Sequence, residues 1–310
     1  MSESIISSPW FHNEESAYEF IEKKLWPHGP VCPHCGEMKR VSKMRGKSTR
    51  MGTYKCYACR KPFTVKIGTV FEDSHIPLRH WLQAIHLMAS SKKGISANQL
   101  HRTLGVTLKS AWFMAHRIRY AMDQEPDSPF TGIVEVDETY VGGKEKGRRG
   151  RGGNKTPVVA LVQRNGSVVS KPVDHVTAYN LRKMIVKNVD KSAKIMTDDY
   201  TGYVGKLGDF AAHHVVNHSA KEYARGEVHT NTVEGYFSIL KRGIIGVYHH
   251  CEKQHLHRYC SEFDFRYNTR TAKGFNDTDR AEELLYGIVG KRLTYAELTA
   301  KEAKKPQPVI

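Results

Sequence analysis

Two aspartates stand where runs of apolar residues stop and a glutamate follows in a helix-like stretch, and the order of the three acids restricts the chain to a sheet flanked by helices. Asp137 ends Gly132-Ile133-Val134-Glu135-Val136-Asp137, and Asp198 ends Ala193-Lys194-Ile195-Met196-Thr197-Asp198. Glu234 lies in a helix-like stretch, Asn231-Thr232-Val233-Glu234-Gly235-Tyr236-Phe237-Ser238-Ile239-Leu240-Lys241. Two strand-end aspartates and a helical glutamate can hold two divalent cations on one side of a sheet, the arrangement that clamps both oxygens of an in-line phosphoryl displacement. Thirty-five residues separate Asp198 from Glu234, and Lys241 follows Glu234 by two helical turns. The pattern is that of a polynucleotidyl-transfer site.

The surrounding periodicity agrees. Residues 132–141, 156–164 and 167–174 read as three consecutive strands, 177–189 as a helix, and 193–198 and 213–217 as further strands. The Glu234 helix follows, then another over about 252–268. This order predicts an α/β fold with a mixed central sheet and flanking helices. Alternation puts Glu135 and Asp137 on one strand face and Val134, Val136 and Glu138 on the other. A charge on a covered strand needs a partner, so Glu135 is either an accessory metal ligand or, by preference, paired to a nearby Lys. Asp198 is preferred to Asp199 because it directly follows the apolar run, whereas Asp199 opens a turn. Oxygen ligands without cysteine point to Mg²⁺ or Mn²⁺.

Charge says what such a site would act on. Lys and Arg total 48 against 32 Asp and Glu, a net charge of +16 with pI near 9.5. That balance favours a polyanion, nucleic acid first. No apolar run reaches the roughly 18 residues of a membrane span, and the first residues lack a signal-peptide pattern, so no membrane association and a cytoplasmic location are expected.

Upstream, residues 10–26 read as a short amphipathic helix. Cys32-Pro33-His34-Cys35 and Cys56-Tyr57-Ala58-Cys59 follow, twenty residues apart, the spacing of a four-cysteine structural zinc site. From Lys39 to Lys66 stand ten Lys or Arg and no acid. Lys43, Arg45, Lys47 and Arg50 of this run are assigned to a phosphate backbone. Residues 76–122 look helical, with Ser96 and Thr107 as N-caps and a tight turn at Gly105. A helix-turn-helix is expected there, its second helix made basic by Lys109, His116, Arg117 and Arg119. Residues 123–130 read as a linker. The glycine-rich loop 142–155 places Arg148, Arg149 and Arg151 where DNA could order them, and the tail 301–310 is basic. His213, His214 and His218 form a cluster better explained as strand histidines than as a second zinc site. Cys251 and Cys260 lack metal-type spacing.

The stretches 135–143 (Glu-Val-Asp-Glu-Thr-Tyr-Val-Gly-Gly), Thr197-Asp198, 229–241 and 258–270 together resemble the DDE transposases of bacterial insertion sequences, in the group with an N-terminal zinc ribbon. The resemblance spans about residues 10–272. It implies an N-terminal helix (1–28), zinc ribbon (29–72), helix-turn-helix-like DNA-binding domain (73–125), RNase H-like catalytic domain (131–272) and C-terminal helices with a basic tail (273–310). It further implies cleavage at element ends and strand transfer into target DNA in a prokaryotic, nucleoid-associated setting. Asp137, Asp198 and Glu234 would bind two Mg²⁺ (or Mn²⁺), Lys241 would meet a phosphate, and Cys32, Cys35, Cys56 and Cys59 would hold one structural Zn²⁺. Terminal inverted repeats and target DNA are the implied partners, with a homo-oligomer pairing two ends. Some members of the group carry Asn as the third ligand, which makes Asn231 a rival to Glu234. His229 is either a site-lining residue or a helix cap. Two other functions share these motifs: a domesticated, non-catalytic DNA-binding regulator, and a nuclease that only hydrolyses.

Overall fold

The computed structural model describes residues 4–143, 155–203, 205, 207–217 and 224–300. In chain order the elements are α1 (Glu14–Leu25), β1 (Val41–Lys43), β2 (Tyr54–Cys56), β3 (Pro62–Phe63), α2 (Leu78–Ser90), α3 (Ala97–Leu104) and α4 (Leu108–Ala121). There follow β4 (Ile133–Val141), β5 (Thr156–Gln163), β6 (Val168–Pro172), α5 (Ala178–Asn188), β7 (Lys194–Asp198) and β8 (Ala212–Val216). The last are β9 (Ala224–Arg225), β10 (Val228–His229), α6 (Asn231–Gly243), α7 (Leu256–Asn268), α8 (Asp277–Tyr286) and α9 (Tyr295–Thr299). Two compact units emerge, residues 1–122 with 275–310, and residues 123–274.

In the first unit, β1, β2 and β3 form a small antiparallel sheet. Its core is Cys32, Tyr54, Cys56 and Phe63, with Trp26 packed edge-on against Tyr54 and Phe63. So little apolar area cannot hold a sheet alone, which is why the cysteines matter. Gly52, at φ +69, brings the turn before β2 against Tyr18: a Cβ there would lie 2.3 Å from that ring. Helix α2 begins after Pro77 without a side-chain cap of its own; the Glu14 carboxylate of α1 accepts from the Leu78 and Arg79 amides at 2.7 and 3.1 Å instead. Between α3 and α4, Gly105 takes the left-handed conformation (φ 67), and Ser96 and Thr107 cap the two helices as their sequence positions predict. The expected basic face of α4 is not formed. His116, Arg117 and Arg119 are buried, and Arg117 donates to the carbonyls of Leu293, Val70 and Glu72. Apolar neighbours of helical spacing on α4 (Ala111, Met114, Ala115, Ile118) carry these cations into the core with them. Lys109 stays exposed, its Nζ 4.4 Å above the Tyr295 ring.

The second unit is built on a five-stranded sheet in the order β6-β5-β4-β7-β8. β4, β5 and β6 are antiparallel neighbours, while β4, β7 and β8 run parallel, so the sheet is mixed. Strand β5 is buried along nearly its whole length, as its run Val158-Val159-Ala160-Leu161-Val162 requires. One face packs Val134, Val136, Val159 and Leu161 against Leu181 and Ile185 of α5. The other packs Val158, Ala160 and Val162 against Val233, Tyr236 and Leu240 of α6 and Tyr259 and Phe263 of α7. Both faces are covered, so every charge on β4 must be satisfied inside. Arg148, Arg149 and Arg151, the tail 301–310 and His218 lie outside the described residues.

Candidate active site

Strand β4 pairs with β5 from Val134 to Val141 but with β7 only from Ile133 to Glu135. Past that point the β7 side of β4 has no ladder partner among the described residues, and carboxylates from both faces can reach one place. There Asp137, Glu138 and Asp198 bring ligand atoms within 4.8 Å of one another. Asp198 is the last residue of β7 and accepts from the Tyr200 amide at 3.1 Å, which fixes its carboxylate as the chain turns away. Asp199 is not part of the group. Glu138 receives the Tyr203 hydroxyl at 3.1 Å, and its own amide donates to Asp137 Oδ1 at 2.7 Å.

The electrostatics record the crowding. Burial, then the charges of Asp198 and Glu138, push the Asp137 carboxyl up to about 8; Glu234 adds to the rise. The buried Tyr203 phenol is held well above its usual range for the same reasons, burial first and Glu138 next. Carboxylates gathered this closely repel unless protons or a cation neutralise them. An all-oxygen donor set of this kind suits a hard divalent cation.

Glu234 sits in the first turn of α6, exposed, with the Thr230 hydroxyl donating to Oε1 at 3.0 Å. It lies outside the 4.8 Å group while its charge reaches Asp137. Lys241 is exposed in the last turn of α6, and Asn231 is exposed at its first position. Glu135 is wholly buried, and its partner is Arg164 at 2.6 Å rather than a lysine. His229 Nδ1 accepts from Arg164 Nη2 at 3.0 Å, so His229 belongs to this buried network. Glu138 was missed by sequence reasoning, because strict alternation sends it to the far face. The signal available was its adjacency to Asp137 at a strand end.

The second cluster is the thiol group Cys32, Cys35, Cys56 and Cys59, again within 4.8 Å. Cys32 Sγ lies 3.7 Å from Cys59 Sγ, and Cys35 Sγ 3.6 Å from Cys56 Sγ. A tetrahedron with Zn–S bonds of about 2.3 Å has edges of about 3.8 Å, so the four sulfurs fit zinc. The Cys59 amide draws the Cys56 thiol down to about 7, toward the thiolate that ligation needs. Lys43, Arg45, Lys47 and Arg50 all lie exposed on the same ribbon, and Lys43 pairs with Glu22 at 3.4 Å.

Residues 129–268 match the ISXO2-like transposase domain, and residues 12–62 match the transposase zinc-ribbon domain. The chain is also 30% identical over 252 residues to an uncharacterized protein in transposable element ISH50 of Halobacterium salinarum, covering 75% of this chain and 83% of that relative. The chain belongs to the ISXO2-like transposase family. The transposase-domain match contains Asp137, Glu138, Asp198, Glu234 and Lys241, and the ribbon match contains all four cysteines. Among the described residues, no helix of this transposase is long and apolar enough to cross a membrane.

Proposed function

We propose that this transposase cleaves the ends of an insertion sequence and joins them to target DNA through a metal-dependent site on an RNase H-like domain. The observation that carries the reading is the meeting of Asp137 and Asp198 at the break in the sheet, beside Glu138 and within electrostatic reach of Glu234. Asp137, Asp198 and Glu234 would hold two Mg²⁺ or Mn²⁺ ions. Bound there, such a pair supplies activation of the attacking oxygen and charge stabilisation at the leaving 3′-oxygen. The protein's own residues set the stage. The Tyr200 amide and the Glu138 amide orient the two aspartates, and Tyr203 restrains Glu138. Lys241, exposed on the helix that carries Glu234, suits a phosphate near the cut end. The zinc ribbon, its exposed Lys43, Arg45, Lys47 and Arg50, and Lys109 on α4 would bind the element ends, with α3 and α4 acting as a helix-turn-helix. Pairing two ends calls for at least a dimer. A regulator that only binds DNA is not favoured, since it has no use for half-buried carboxylates that repel one another.

The test is cleavage and joining of element-end DNA with Mg²⁺. Asp137→Asn, Asp198→Asn and Glu234→Gln should each lower both by on the order of a thousandfold while leaving end binding intact. Full joining by any one of the three would remove that residue from the assignment.

A further inference from the structure

Glu135 lies two positions before Asp137 on the same strand and face, wholly buried, and both its oxygens are engaged. Oε1 accepts from Arg164 Nε at 2.6 Å and from the Thr232 hydroxyl at 2.8 Å. Oε2 accepts from the backbone amides of Thr232 and Val233 at 2.8 and 3.0 Å. Those two amides belong to the first turn of α6, whose own N-cap residue, Thr230, provides no side-chain cap. A helix start buried without acceptors leaves orphan N–H groups. Here the acceptor arrives from β4, nearly a hundred residues earlier in the chain. Arg164 completes the clamp: its remaining nitrogens donate to the carbonyls of Glu227 and His229, which hold the segment leading into α6.

From this we infer that Glu135 is a positioning residue for the metal site: by capping α6 from β4 it fixes Glu234 relative to Asp137. The inference rests on the proposed roles of Asp137 and Glu234. It also separates Glu135 from ligation, because a cation at Glu135 would have to displace the Arg164 guanidinium and two backbone amides. The strand that presents the first acid thereby sets the place of the helix that presents the third. A carboxylate at a helix N-terminus is favoured by the helix dipole as well as by the two hydrogen bonds.

The experiment uses the full chain and two variants. Glu135→Gln keeps size and one acceptor but loses the charge. Glu135→Leu with Arg164→Met replaces the buried ion pair by apolar volume, an exchange that folded proteins commonly tolerate, while removing the cap completely. In DNA-free protein, amide exchange at Thr232 and Val233 should quicken on the order of tenfold in the double variant and less in Glu135→Gln, with the β4–β5 ladder still protected. Mn²⁺ affinity by calorimetry, and the Mg²⁺ concentration giving half-maximal cleavage, should worsen by a similar factor. Unchanged exchange at the two amides would overturn the cap. Faster exchange with unaltered Mn²⁺ affinity and cleavage would overturn the positioning role. Loss of protection throughout the sheet in both variants would assign Glu135 to folding and overturn it equally. If instead Asp137→Asn leaves cleavage and Mn²⁺ binding intact, the active-site reading itself fails, whatever the amides show.

Discussion

His257, on α7, shows what burial does to a single ionisable group in this unit. Burial, reinforced by the neighbouring Arg258 charge, lowers it from 6.5 to about 4. Between those values the unfolded chain takes up a proton that the folded chain refuses, so stability is present above about 6.5 and is lost as pH falls toward 4. His257→Gln should therefore flatten the decline of Tm across that window. An undiminished slope would show that other groups govern acid unfolding. Half-buried Asp264 is shifted upward to about 7, chiefly by desolvation, while its oxygens accept from Tyr236, from the Ser170 amide and from the Ser170 hydroxyl at 2.6 to 2.8 Å. That knot ties β6 to α6 and α7. The place of Asp198 in the carboxylate group was readable, because an apolar run ends on it. The choice of Glu135 partner was not, since Arg164 lies just past the far end of β5 and only the antiparallel register brings it back to Glu135.

Elements were legible wherever period and punctuation agreed. The strands at 132–141, 156–164 and 193–198 differ from β4, β5 and β7 by a residue at most at each end. Ser96 and Thr107 marked the starts of α3 and α4 as capping chemistry demands. The role of α4 was harder to read: cationic residues suggested a DNA-facing surface, yet His116, Arg117 and Arg119 share the faces of apolar residues and are buried with them. Composition counts charges without saying which side of a helix they occupy. At Gly105 a Cβ would meet nothing within 4 Å, so only the backbone opposes substitution. Gly105→Ala should cost about 1 kcal/mol in urea unfolding; a neutral result would mean the turn relaxes. For the ribbon, whose apolar core is four residues with a few partly buried neighbours, chelation of zinc should abolish binding to element ends. Unchanged binding after verified metal loss would separate the ribbon from recognition.

At the scale of the molecule, a net charge of +16 makes salt the natural probe. Each phosphate neutralised contributes a slope of about −0.9 in log K against log salt. Replacing Arg45, Lys47 and Arg50 together by Ser should reduce the slope for end DNA by about 3. Lys43→Ser should change it less, because Glu22 already partners that ammonium. A slope unmoved by the triple change would place the phosphate contacts elsewhere.

The short meeting of β4 and β7 carries a further consequence, for how relatives of this chain can change length over generations. Only three residue pairs join the two strands, and Asp198 is the last residue before the turn. Residues added or lost between β6 and α5, or after β8, leave that pairing alone. One residue gained between Ala193 and Asp198 would carry Thr197 into the position beside Asp137 and turn Asp198 to the other face. Such a lineage would inherit a folded protein and a silent element.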